Sequence, residues 1–282
     1  MSEGRPKNSA AQAERSARRR RLLAGLLAAP TAYAVPAFFA RGAGAAELPA
    51  VVAAAKPSIV AIGVHAPLQN PRFRFLGSGF IVSDGRRAVT CAHVIPVVDP
   101  EKRESIAVAI PGSDGTRVLA AKVETIDRDT DLAVLSFDGP GLPALELAEP
   151  GEIREGAEVL LMGFPIGSAL GLFAATHRGI IAAVTPMIIP AAGSAGLRAQ
   201  NLQVLRGKPI QLLQLDATAY PGNSGGPLID SSTGRVVGVM SFGLAKGSRE
   251  SAIQYPTGIS YAIPSRYVRA LLDKRKGQGP PS

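Results

Sequence analysis

The sequence predicts an all-β chain in two halves followed by one helix, and three observations carry that prediction. Apolar runs are short and punctuated by Gly, Pro, Asn and Asp. They recur at near-regular spacing, and a Pro- and Gly-rich stretch, residues 139–156, divides them into two sets. Such spacing suits a barrel or a sandwich, not alternating βα units. The clearest runs of the first set are "SIVAIGVHA" (58–66), "GSGFIVS" (77–83), "RAVTCAHVI" (87–95), "SIAVAIP" (105–111) and "DLAVLSF" (131–137). The second set holds "AEVLLMGFP" (157–165), "GIIAAVTP" (179–186), "IQLLQLDA" (210–217), "RVVGVMSFG" (235–243) and "GISYAIP" (258–264). Two six-stranded halves, about 50–145 and about 150–264, fit this pattern. Helical spacing is confined to "SRYVRALLDKRK" (265–276), where Tyr267 and Leu271, flanked by Val268, share a face. The longest irregular stretch, residues 187–208, is of a length that in compact domains usually carries function.

The 282 residues are 46% hydrophobic and 19% charged, enough for one large domain or two small ones. A net charge of +9 would suit a nucleic-acid partner, but its distribution argues otherwise. Residues 1–41 hold eight Arg and Lys against two acidic residues, which leaves only +3 for the other 241 residues. With no basic–aromatic stripe either, nucleic-acid binding is not expected. The basic start reads as targeting. Arg18-Arg19-Arg20-Arg21 precede nineteen uncharged residues, 22–40, and then small residues including Ala43-Gly44-Ala45. That is the order of an export signal cleaved near residues 45–46, with an arginine pattern similar to twin-arginine signals. Residues 1–46 are therefore expected to direct export to the periplasm or outside. If uncleaved, residues 22–40 would anchor the chain to a membrane, with residues 47–282 outside the cytoplasm.

Cys91 is the only cysteine, so no internal disulfide is expected. His65, His93 and His177 lie far apart without ligand spacing, so neither a metal nor another cofactor is expected.

One stretch, "YPGNSGGPL" (220–228), has the composition of a nucleophile turn. Read as G-x-S-x-G it would be the nucleophile elbow of an α/β-hydrolase, whose triad runs Ser, acid, His. No histidine follows Ser224, so that reading lacks its base. The opposite order, His, Asp, Ser, is available. His93 ends an apolar run, Asp131 begins another, and Ser224 lies in the second half. Asp127 and Asp129 are nearby rivals to Asp131, better suited to capping a turn. His65 and His177 are read as surface or core residues, and Cys91 as a small buried filler.

With these pieces in order, the chain resembles the trypsin-like serine peptidases, and among them the HtrA/Deg type. The matching segments are "GSGFIV", "VTCAHVI", "TDLAVL", "GFPIG", "LQLDATAYPGNSGGPL" and "GISYAIPS", spread over residues 55–275. The resemblance implies two six-stranded antiparallel β-barrels with the active site between them. It implies His93 as general base, Asp131 as its orienting acid and Ser224 as nucleophile, with the Gly222 and Ser224 N–H groups as oxyanion donors. Polypeptides would be the substrates and no cofactor would be needed. A latent scaffold on the same fold is the alternative.

Thr218 matches the base of the specificity pocket and is not acidic, which disfavours Arg or Lys there. Ser241, Phe242 and Gly243 resemble the segment that pairs with an extended substrate, and Gly243 and Gly258 would leave the pocket open. A small-to-medium apolar residue is expected before the cut. Asn223 departs from the digestive enzymes, whose aspartate there pairs with a new N-terminus; another switch is therefore needed, and mobile loops bordering the site are the expected means. "GVMSFG" is nearer the general trypsin-like pattern than the usual HtrA segment. No PDZ module is expected within these residues, and segments 187–208 and 244–257 match loops that border the active site in the family.

Overall fold

The computed structural model describes residues 47–112, 115–167, 171–187, 209–241 and 258–276. Twelve strands are present among the described residues: β1 Ile59–His65, β2 Phe73–Val82, β3 Arg87–Cys91, β4 Ser105–Gly112, β5 Gly115–Asp127, β6 Leu132–Phe137, β7 Glu158–Gly163, β8 Ala175–Pro186, β9 Gln211–Asp216, β10 Pro227–Asp230, β11 Val236–Met240 and β12 Ile259–Pro264. Helix α1, Leu48–Ala55, precedes them and helix α2, Ser265–Lys276, follows.

The strands close into two barrels, ordered β1-β2-β3-β6-β5-β4 and β10-β11-β12-β9-β8-β7. Counting β7–β12 as one to six and reading the second order backwards reproduces the first, so both halves wind alike. Closure pairs every strand on both sides and so removes exposed sheet edges. The strong curvature uses irregular pairing. At the Ile62/Gly63 register shift, a Cβ on Gly63 would collide with the Arg74 carbonyl and the Phe73 ring.

Burial follows from closure. All five residues of β11 and the first six of β1 are buried. β5 is different: it begins with three exposed residues and buries only Ala121 fully. One apolar cluster fills the first barrel with Phe80, Ile62 and Leu135 and continues across to Leu160, Phe164 and Val239 of the second half. A second cluster, including Leu161, Ile181, Leu213 and Leu228, fills the second barrel. Helix α2 buries Val268 and Leu271 in the shared cluster, touching β5 and β6 on one side and β11 and β12 on the other. The expected apolar face of this helix is present; Tyr267 sits at its margin, where its hydroxyl accepts the Gln211 N–H at 2.9 Å.

Phe80 is wholly buried in the first barrel. Phe80→Ala should lower unfolding stability by about 3–5 kcal/mol, the cost of an emptied aromatic site. An unshifted urea midpoint would contradict this packing.

Candidate active site

His93 lies in a single 3-10 turn, Ala92–Val94, directly after β3. Asp131 immediately precedes β6 and has φ +55°, an uncommon conformation for a non-glycine residue. The two positions are tied by three bonds. The Ala92 N–H donates to the Asp131 carbonyl at 3.0 Å, and the His93 N–H to Asp131 Oδ1 at 2.9 Å. The ring closes the set, with Nδ1 2.7 Å from Oδ2. An ionised carboxylate only accepts, so Nδ1 carries the proton in this bond, and in the neutral tautomer that leaves the lone pair on Nε2. Asp127 does what its position before β6 suggested: Oδ1 caps the turn, accepting the N–H groups of Asp129 at 3.0 Å and Thr130 at 3.2 Å.

Ser241, 1% exposed at the end of β11, donates its hydroxyl to Asp131 Oδ2 at 2.9 Å. Its side chain thus supports the carboxylate, a placement that its substrate-segment assignment did not foresee. Burial alone would raise the Asp131 pKa. The hydrogen bonds and charge of His93, with the Ser241 hydroxyl, outweigh it, and the carboxyl titrates below its ordinary value.

Ser224 is 6% exposed, in the turn leading to β10. Within the turn, the Asn223 N–H donates to the Tyr220 carbonyl at 3.0 Å and the Gly226 N–H to the Asn223 carbonyl at 2.9 Å. The Gly225 N–H reaches the Met240 carbonyl at 2.8 Å, and the Ile166 N–H reaches the Pro221 carbonyl at 2.8 Å. Gly222 has φ +103° and Gly225 φ +86°, so both need glycine. Space demands it too: a Cβ on Gly225 would collide with the Ser78 carbonyl and Thr90 Oγ1, and one on Gly222 with the Phe164 carbonyl.

The Ser224 turn and the His93 turn meet at Gly77 of β2. A Cβ on Gly77 would lie 2.8 Å from a Val94 methyl and 3.0 Å from the Ser224 carbonyl. His93, Asp131 and Ser224, distant in sequence, therefore share one neighbourhood at the junction of the barrels.

Thr218 and Gly258 lie on adjacent segments, since the Ala217 N–H donates to the Gly258 carbonyl at 2.9 Å. Ser260 straps the Thr218 segment on both sides, donating its hydroxyl to the Ala217 carbonyl at 2.6 Å and accepting the Ala219 N–H at 3.0 Å. Sequence reading did not single out Ser260, although it lies in the "GISYAIPS" segment. Phe242 and Gly243 lie outside the described residues, as do segments 1–46, 188–208 and 244–257. His177 packs beside Tyr220 with ring centroids 5.6 Å apart, and burial lowers its pKa.

Cys91 is fully buried, with Sγ 3.2 Å from the Met240 carbonyl. Burial, then the Asp131 charge, pushes its pKa well up. Cys91, His93 and Asp131 bring donor atoms within 4.8 Å of one another. The thiol is protonated, however, and Nδ1 and Oδ2 are bonded to each other, so the group does not offer free ligands.

Two outcomes follow from these environments. The Asp131 pKa is lower folded than unfolded, so its stabilising contribution is present above 3.8 and is lost as pH falls through the folded value. Asp131→Asn should therefore flatten the acid limb of the stability–pH curve; an unchanged slope in denaturant titrations would contradict the bond set. Cys91 should resist an aromatic disulfide reagent in the native protein and react fully once unfolded. Rapid native labelling would contradict its burial.

Comparison with known proteins bears on this geometry. Residues 77–239 match the family described as trypsin-like peptidase domain. Serine protease HTRA2, mitochondrial, of Drosophila pseudoobscura pseudoobscura is 32% identical over 198 residues, 70% of this chain and 38% of that protein. The Drosophila virilis protein of the same name is 31% identical, over 70% and 39%. The chain thus spans about two fifths of the length of the curated relatives it matches. Among solved structures, HtrA-type protease AlgW with tripeptide superposes at a TM-score of 0.56, with 28% identity over 81% of this chain and 63% of that one. AlgW with decapeptide gives 0.58, 26%, 83% and 69%. The barrels, the match and these relatives agree: the chain belongs to the trypsin-like peptidases, with HtrA-type proteases among its relatives by sequence and by structure.

Proposed function

We propose that the chain is a serine endopeptidase that hydrolyses unfolded or extended polypeptides through an acyl-enzyme at Ser224. The observation that carries this reading is the 2.7 Å bond between His93 Nδ1 and Asp131 Oδ2, made beside the Ser224 turn. With Nδ1 protonated, Nε2 is the ring's basic atom. Nε2 takes the Ser224 proton as Oγ attacks the peptide carbonyl, and Asp131 stabilises the imidazolium that forms. The tetrahedral oxyanion is received by the Gly222 and Ser224 N–H groups, each donor worth about 3–4 kcal/mol. The imidazolium then protonates the leaving amine, and the acyl group stays on Ser224. Water, deprotonated by His93, attacks that ester, and the imidazolium returns the proton to Ser224 Oγ as the acid is released. Every proton is moved by these residues, so the sequence of steps needs no cofactor.

Polypeptide as the substrate is supported by the relative AlgW, solved with a tripeptide and with a decapeptide. Thr218, Gly258 and the segment Ser241–Gly243 would form the specificity pocket. Thr218 at the pocket base is not acidic, which suits a small-to-medium apolar side chain before the cut. Residues 47–282 would be the peptidase domain and residues 1–46 its export signal or anchor, which fits a role in quality control of exported proteins. No helix among the described residues is long and apolar enough to cross a membrane.

Ser224→Ala should abolish labelling by a fluorophosphonate probe and lower casein turnover on the order of 10⁶-fold. Equal turnover by the mutant would sink the assignment, and failure of the wild type to label would favour a latent scaffold.

A further inference from the structure

Ser78 of β2 is the only residue seen to bond the Ser224 turn through both backbone and side chain among the described residues. It has no solvent exposure. Its N–H donates to the Ser224 carbonyl at 2.8 Å, and its carbonyl accepts the Thr90 hydroxyl at 2.8 Å. Its own hydroxyl lies 2.6 Å from the Gly222 carbonyl and 2.9 Å from the Phe164 nitrogen. The Phe164 N–H is a donor, so it takes a lone pair of the hydroxyl oxygen. The single hydroxyl proton is then committed to Gly222.

That commitment fixes a peptide plane. In a trans peptide the C=O and the following N–H point in opposite directions. Holding the Gly222 carbonyl on Ser78 therefore turns the Asn223 N–H the other way, onto the Tyr220 carbonyl. The preceding plane is held by the Ile166 N–H on the Pro221 carbonyl, which aims the Gly222 N–H away from Ile166. Ile166 makes that bond at φ +51°, a costly conformation for a β-branched residue. Gly222, the most permissive residue type, is thus clamped from both sides. The Asn223 side chain gives no comparable restraint: it is 1% exposed, and neither amide atom has a hydrogen-bond partner among the described residues.

We propose that Ser78 is a positioning residue for the oxyanion-binding turn, setting the Gly222–Asn223 peptide that stands between the two N–H donors. The inference rests on the peptidase reading above and adds to it. It also supplies the device that Asn223, lacking a charge, does not. A first-barrel side chain holds the second-barrel turn in its donating form, so the donors are aligned only while the barrels are docked.

The test uses the full chain with Ser78→Ala and Ser78→Cys, a fluorogenic peptide substrate, and a peptide boronic acid that mimics the tetrahedral state. In Ser78→Ala, kcat should fall about 10- to 100-fold, approaching the loss of one oxyanion donor. KM should stay within about threefold, and boronate affinity should weaken in step with kcat, because only the transition state uses the donors. Ser78→Cys, which fills the same space with a weaker and longer donor, should lose kcat to a lesser degree. Unchanged kcat in either folded variant would overturn the proposal. So would a fall matched by an equal rise in KM with boronate affinity retained, the mark of a general distortion. A wild-type protein that neither turns over substrate nor labels would instead remove the peptidase reading beneath it.

Discussion

Closing each sheet on itself creates the constraint on which the rest of this structure depends. A closed barrel uses its backbone donors and acceptors internally, leaving no strand edges with which to hold a second barrel. Apolar packing joins the halves, but packing is non-directional and cannot set a site to tenths of an ångström. Orientation must come from a few bonds that cross the junction. These are Ser78 to the Gly222 and Ser224 carbonyls, Ser78 to Phe164, Ser241 to Asp131, and Cys91 to Met240. Three of these five reach Ser224 itself or a residue two positions from Ser224 or His93, and a fourth ends on Asp131, the partner of His93. The site is where the barrels are registered against each other.

Asp131 is the electrostatic centre of that junction. Its carboxylate accepts from the His93 ring, the His93 backbone and Ser241, which come from the two barrels. Three donors keep it ionised although burial opposes the charge. The same charge, with burial, keeps the neighbouring Cys91 thiol protonated. One carboxylate therefore orients the histidine ring and keeps the adjacent thiol protonated.

Much of this was legible in the sequence. Ten of the twelve strands announce themselves as short apolar runs, and the motifs place His93 and Asp131 where they bond. β5 was silent because the barrel leaves all of it but Ala121 exposed or half-buried, so "GTRVLAAKVETID" mixes polar and apolar residues without a clear period. β10 is four residues long and is masked by the glycines and proline before it. Helix α1, "LPAVVAAA", is apolar on every face and has no helical periodicity to read. The hydroxyls of Ser78, Ser241 and Ser260 were invisible for a different reason. Each bonds a residue at least 40 positions away, a relation that local spacing cannot express.

The central claim is that this junction makes Ser224 a nucleophile carrying an acyl group between two half-reactions. The most direct measurement is rapid quenching of the wild-type protein with an activated ester or slow peptide ester, followed by mass-spectrometric mapping. A burst of one acyl group per active chain is expected, found on the peptide containing Ser224 and discharged as turnover proceeds. Turnover without an acylated peptide, or an acyl group carried on Cys91, would contradict it.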